Sequence, residues 1–157
     1  MIKTQSYKLD LVWQGNRGAG TMTYTSYDRE FTTRGVSRPE ILGSSHPAFR
    51  GNNDRYCPEE LLLASLSSCH MLWYLHMCAA HDVVVLDYRD QPAMIMDIKE
   101  FGNGDIRSVT LSPVVHIASE EQRDRAMAMH QKAHESCFIA KGVNFEIILN
   151  PSIIIDS

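Results

Sequence analysis

From Tyr7 to Trp13 (YKLDLVW) apolar and polar positions alternate, the two-residue period of a half-buried strand. Gly15 to Gly20 (GNRGAG) then reads as a turn, and Thr21 to Thr25 (TMTYT) as the strand returning from it. Between Val36 and Arg55 the alternation gives way to Gly, Ser, Pro and Asn, the composition of a long loop. Loops of that length inside a small domain often carry function. The pattern changes at Pro58. Through Ala80 (PEELLLASLSSCHMLWYLHMCAA) apolar residues fall on nearly every side of a helix, which predicts a central, buried element. Proline suits its first position, and Glu59 and Glu60 lie against the positive end of its dipole.

Two strand-like stretches follow, Val83 to Glu100 and Asp105 to Ile117, joined at a Gly102-Asn103-Gly104 turn. Ser119, with Gln122 three residues on, has the form of a capping box that opens a second helix. Ala126, Met129, Ala133 and Cys137 recur at intervals of three or four, so they share one face of that helix. Val143 to Leu149 (VNFEIIL) closes the pattern as a strand. Strands, helix, strands, helix, strand is an α+β order with two helices available to pack against sheets. No repeat, low-complexity tract or linker interrupts it, so residues 1–157 are expected to form a single domain.

A chain of 157 residues can bury a sizeable core, and its 44% hydrophobic and 22% charged content is that of an ordinary soluble domain. A formal net charge of −4 offers no basic face to nucleic acid and no polybasic anchor to an acidic membrane. Met1 to Asp10 lacks the apolar run of a secretory signal, and no stretch reads as long and apolar enough to span a bilayer. The expected location is the cytoplasm.

The four cysteines, Cys57, Cys69, Cys78 and Cys137, form no C-x-x-C pair. In a reducing compartment each is by default a small buried hydrophobe. If the helix is continuous from its cap, Cys57 lies twelve residues before Cys69, and Cys78 nine residues after it. At a rise of about 1.5 Å per residue both are beyond the roughly 7 Å between Cα atoms that a disulfide tolerates. Within one chain that leaves Cys137 as a partner, on condition that the two helices pack together. The neighbours of Cys69 (Ser67, Ser68 and His70) are polar residues in an apolar helix. They fit a reactive site and a small-residue packing notch equally well.

The stretch Pro58-Glu59-Glu60-Leu61-Leu62, followed by Ser68-Cys69-His70, resembles the central-helix signature of the OsmC/Ohr family. His134-Glu135-Ser136-Cys137-Phe138-Ile139-Ala140 resembles that family's second cysteine motif, and Trp13-x-Gly15 with Arg17 fits its N-terminal turn. The resemblance implies an OsmC-like intertwined homodimer, with two central helices packed against antiparallel sheets. It also implies thiol-dependent reduction of organic hydroperoxides, with an external dithiol as reductant and no cofactor. In that scheme Cys69 is the peroxidatic thiol, Cys137 the resolving thiol, and Glu59 the acidic partner. Arg17 is the nearest match to the thiolate-activating arginine; its alignment needs a gap in the turn, which keeps Arg34 and Arg50 as alternatives. Cys57 departs from the pattern, standing where the family has a capping asparagine. A thiol there is a weak cap, and at a helix N-terminus its pKa could be lowered.

Other readings stand beside this one. Cys69-His70 and His134-x-x-Cys137 together supply the donor set of a zinc site, but adjacent helical residues point about 100° apart, which works against it. A silent family member that binds a small apolar ligand or a protein would keep both thiols as packing residues. Trp73 and Phe138 are core residues by default and lining for an apolar substrate tail if the chain is a peroxidase.

Overall fold

In the computed structural model, which describes residues 1–155, Asp10–Trp13 (β1) pairs antiparallel with Phe31–Arg34 (β2), and β2 with Ile41–Gly43 (β3). The returning strand is therefore β2 and not Thr21–Thr25, and a third strand lies within the stretch expected to be loop. The reason is a turn longer and more self-sufficient than its glycines suggest. Gly18 and Gly20 take positive φ values of 115° and 55°, and the Asn16 side chain accepts from both of their N–H groups. Further on, the Arg29 guanidinium lies over the Tyr24 and Tyr27 rings, 4.6 and 3.9 Å from their centroids, and donates to both carbonyls. Thr21–Thr25 is bound into these contacts and has no ladder to join. This sheet belongs to the first of two compact units, Met1–Leu61; the second is Leu62–Ser157.

Pro58–Ala80 (α1) is one continuous helix of 23 residues, as expected. The N–H of Cys57 donates to Glu60 Oε2 at 2.9 Å, so a glutamate reaching back supplies the capping that the thiol does not. Each long strand expected after it divides in two: Val85–Arg89 (β4) and Ala93–Ile98 (β5), then Gly104–Leu111 (β6) and Val114–Ile117 (β7). Pro92 and Pro113 stand in the two breaks, where no N–H is available to continue a ladder. Asp90 Oδ1 accepts the Ser112 N–H at 2.8 Å and ties one break to the other.

Arg123–Ser136 (α2) and the four-residue Phe138–Lys141 (α3) follow, and then Glu146–Leu149 (β8) and Ser152–Ile155 (β9). The capping box at Ser119 does not form: that residue makes no side-chain cap bond, and Gln122 instead accepts from the Val84 N–H and donates to the Asp82 carbonyl. The second unit has two sheets, ordered β4-β7-β9 and β5-β6-β8. Their β4–β7 and β5–β6 ladders are antiparallel, whereas β6–β8 and β7–β9 are parallel.

Two apolar clusters follow from this layout. Leu66 packs with Val109 and Leu111 of β6. Tyr74 and Cys78 pack with Val115, Ile117 and Ile153 of the other sheet and with Ala126, Met129 and Ala133 of α2. The expectation that α1 is buried all round holds for one stripe only: Leu66, His70, Tyr74 and Cys78, four residues apart, are buried, while Leu72 is 62% exposed. By length and composition α1 is also apolar enough to cross a membrane, contrary to the reading of the sequence. Its buried stripe, Leu66 to Cys78, is seated on the two sheets of the second unit.

Candidate active site

Cys69 sits on α1 between the Leu66 cluster and the Tyr74 cluster, and it is half-buried. Each of its polar neighbours makes a hydrogen bond. Ser67 Oγ donates to Asp90 Oδ2 at 2.5 Å, Ser68 Oγ to the Ser65 carbonyl, and His70 Nε2 meets His130 Nδ1 at 3.1 Å. The helix tolerates the two serines because each hydroxyl has a partner, which avoids a cost of about 1–3 kcal/mol for each one orphaned, and His70 is satisfied at one of its two ring nitrogens.

Cys137 shares the inward side with Ala126, Met129 and Ala133 but is not part of α2. Its backbone is extended, at φ −68° and ψ 113°, so it closes α2 and caps α3, its sulfur accepting the Ala140 N–H at 3.4 Å. This break delivers the thiol to α1. The sulfurs of Cys137 and Cys69 lie 2.8 Å apart, and both cysteines are free. Cys137 is 1% exposed; burial, and after it the neighbouring Cys69, push its pKa up to about 11. It is therefore a neutral thiol at physiological pH, and it can point its S–H at the Cys69 sulfur.

Beside the sulfurs Trp73 meets Phe138 edge to face, with centroids 5.6 Å apart, and Phe138 is 70% exposed. Neither ring is plain core. Trp73, Leu72 and His76 line an open recess of about 260 Å³ on the same helix.

Glu59 lies in the first turn of α1, in the first unit, and its Oε2 is buried without a hydrogen-bond partner. Of the candidate arginines, Arg17 donates to the Thr25 carbonyl and pairs with Asp28, and Arg34 lies 3.9 Å from Glu40. Arg50 ends a short helical turn at a φ of 64°. None of these contacts joins an arginine to Glu59. Cys57 is not an activated thiol: burial raises its pKa, the Glu60 backbone N–H works against that in part, and the Glu59 carboxylate adds to the rise. Cys78 is likewise raised, by burial. Among the described residues no three His, Cys, Asp or Glu side chains are grouped to hold a metal ion. Cys69 and His70 turn to different partners on α2 and its cap.

The sequence reading missed His130, Tyr74, Tyr88 and Asp90. His130 was open to detection, because it falls on the same helical face as Ala126, Ala133 and Cys137. Nothing local marks Asp90, whose partners are 22 and 23 residues away.

The family model for OsmC-like protein matches residues 51–151, a span that includes both cysteine motifs. The chain belongs to the OsmC-like family. This OsmC-like protein is similar over 96% of its length to an OsmC-like protein of unknown function from Vibrio cholerae, covering 100% of that chain at 29% identity and a TM-score of 0.82. It also shares the fold of an organic hydroperoxide resistance protein from Elizabethkingia anophelis, at 15% identity and a TM-score of 0.66, over 98% of this chain and 100% of that one. A further organic hydroperoxide resistance protein, from Legionella pneumophila, gives 16% identity and 0.66 over 96% and 98%. No curated protein matches the OsmC-like chain. The family and its mixed α+β fold agree with the resemblance drawn from the motifs.

Proposed function

We propose that this OsmC-like protein is a cysteine-based peroxidase that reduces organic hydroperoxides through Cys69 and Cys137. The observation that carries the reading is the pair of free sulfurs 2.8 Å apart, one half-buried and the other enclosed. The Cys69 thiolate attacks one oxygen of the hydroperoxide. An S–O bond forms, the O–O bond breaks, and the alkoxide takes up a proton and leaves as the alcohol. The sulfenic acid on Cys69 then condenses with the Cys137 thiol, releasing water and forming a disulfide. An external dithiol reduces that disulfide by exchange and closes the cycle.

Glu59 and Arg17 are the residues we assign to setting the rate, with Arg34 and Arg50 as the alternatives for the arginine. The unpartnered buried oxygen of Glu59 is the kind of acceptor a guanidinium satisfies. The exposed apolar surface at Leu72 and Phe138 supports a homodimer in which a second copy covers α1. We place the activity in the cytoplasm.

The test is thiol mapping by mass spectrometry before and after one equivalent of cumene hydroperoxide. A Cys69–Cys137 disulfide formed within seconds and reversed by dithiothreitol is expected. Cys69→Ser should abolish turnover, and Cys137→Ser should allow one reduction and then strand Cys69 as an oxidised acid. Intact thiols beside unconsumed peroxide would remove the proposal and favour a silent binding member of the family.

A further inference from the structure

His70 and His130 are 1% and 2% exposed, and they meet where α1 passes α2. Their rings are nearly coplanar, 7° apart, and Tyr74 stacks on His130 with centroids 3.9 Å apart. Each imidazole spends one nitrogen on the other. The remaining pair, His70 Nδ1 and His130 Nε2, is buried without a hydrogen-bond partner, as are the hydroxyls of Tyr74 and Tyr88 nearby. Orphaned buried polar atoms carry an uncompensated desolvation cost, so an apolar pair in this place would make a more stable core. Stability does not explain the pair.

His70 is the residue after Cys69, and His130 stands seven residues, about two turns, before Cys137. The α2 side chains around it, Ala126, Met129 and Ala133, make apolar contacts that are not directional. A ring-to-ring hydrogen bond is directional. Cys137, the cap at the end of α2, follows that bond by about two turns.

We propose that His70 and His130 are positioning residues for the second half-reaction: their hydrogen bond holds Cys137 within reach of Cys69 so that the disulfide can close. The idea rests on the peroxidase reading for the reaction it serves, but not for its geometry. A displacement of about 1 Å costs reacting groups up to a hundredfold in rate. Shifting the bond should therefore slow closure and weaken the disulfide while leaving the first attack by Cys69 unchanged.

The test compares His130→Asn, which keeps a polar atom near the Nδ1 position, with His130→Gln, which moves it toward Nε2. Both are polar, and they differ by one methylene. Two quantities are read: the Cys69–Cys137 equilibrium against dithiothreitol, which involves no peroxide, and the rates of sulfenate trapping and disulfide closure after cumene hydroperoxide. The Asn variant should stay within about twofold of the parent. The Gln variant should lose on the order of tenfold in both equilibrium and closure, with sulfenate formation unaltered. Equal behaviour of Asn, Gln and parent overturns the proposal, as does a Gln variant that slows both steps alike. If the parent disulfide equilibrates with dithiothreitol while peroxide leaves the thiols untouched, the peroxidase reading fails and the positioning role is judged on the equilibrium alone.

Discussion

Acid should destabilise this protein through the same two histidines, well above the pH at which carboxylates titrate. Burial, helped by His134, lowers the His70 pKa to about 4 against the partial opposition of Asp90; burial and then His70 lower that of His130 to about 3. Both start from 6.5. A folded pKa below the unfolded one means that the unfolded chain takes up protons first. Stability from the pair is then complete above about pH 6.5 and is lost as pH falls toward the folded values. Between about pH 8 and pH 5 the linkage gives a loss of about 2 kcal/mol for each ring, or about 4 kcal/mol for the two. Against the roughly 5–15 kcal/mol that holds a domain together, that is a large fraction. The assay is urea unfolding followed by circular dichroism at the two pH values, for the parent and for the double variant His70→Leu/His130→Leu. The parent should lose several kcal/mol on acidification, and the variant, lacking both groups, much less. Equal losses in the two proteins would refute the reasoning, because the acid sensitivity would then arise elsewhere.

Closure of the disulfide should accelerate with pH between about 7 and 9 in quenched-flow experiments, since a thiol whose pKa is raised to about 11 gains thiolate with each unit. A flat profile would mean that another group limits that step. Gly15→Ala would drive a Cβ into the carbonyl of Asp28, which also accepts the Trp13 indole N–H, and should cost about 1–3 kcal/mol of stability in the first unit by chemical denaturation. Glu59→Gln should lower the rate of peroxide consumption by about tenfold or more while moving the melting temperature only a few degrees, as measured by stopped-flow absorbance and calorimetry. A variant with parental rates would release Glu59 from the proposed chemistry.

Much of this was legible because α1 declares itself: a proline start, two glutamates and an unbroken apolar run leave little else for Pro58–Ala80 to be. The inward face of α2 was legible for the same periodic reason. What escaped was set by contacts distant in sequence. Phe31–Arg34 (FTTR) is too short to stand out, and it becomes a strand by pairing with β1 and β3. Periodicity carried Cys137 onto the helix, whereas the backbone breaks there to bring its sulfur to Cys69. The Ser119–Gln122 pattern was sound as a motif, but Gln122 found better partners at Asp82 and Val84. Period and capping chemistry report local preference; pairing is decided by what the rest of the chain supplies.

The parallel ladders impose an order on manufacture. Cys69 and Cys137 are 68 residues apart, and β8 and β9, which complete the two sheets beside α1, are made later still. At about 5–20 residues per second on the ribosome, Cys69 is synthesised roughly 3 to 14 seconds before its partner exists. During that interval a nascent chain holds one thiol without the other, and an oxidant arriving then finds a cysteine that no intramolecular disulfide with Cys137 can rescue. A copy still under synthesis therefore lacks the disulfide route proposed for the finished protein.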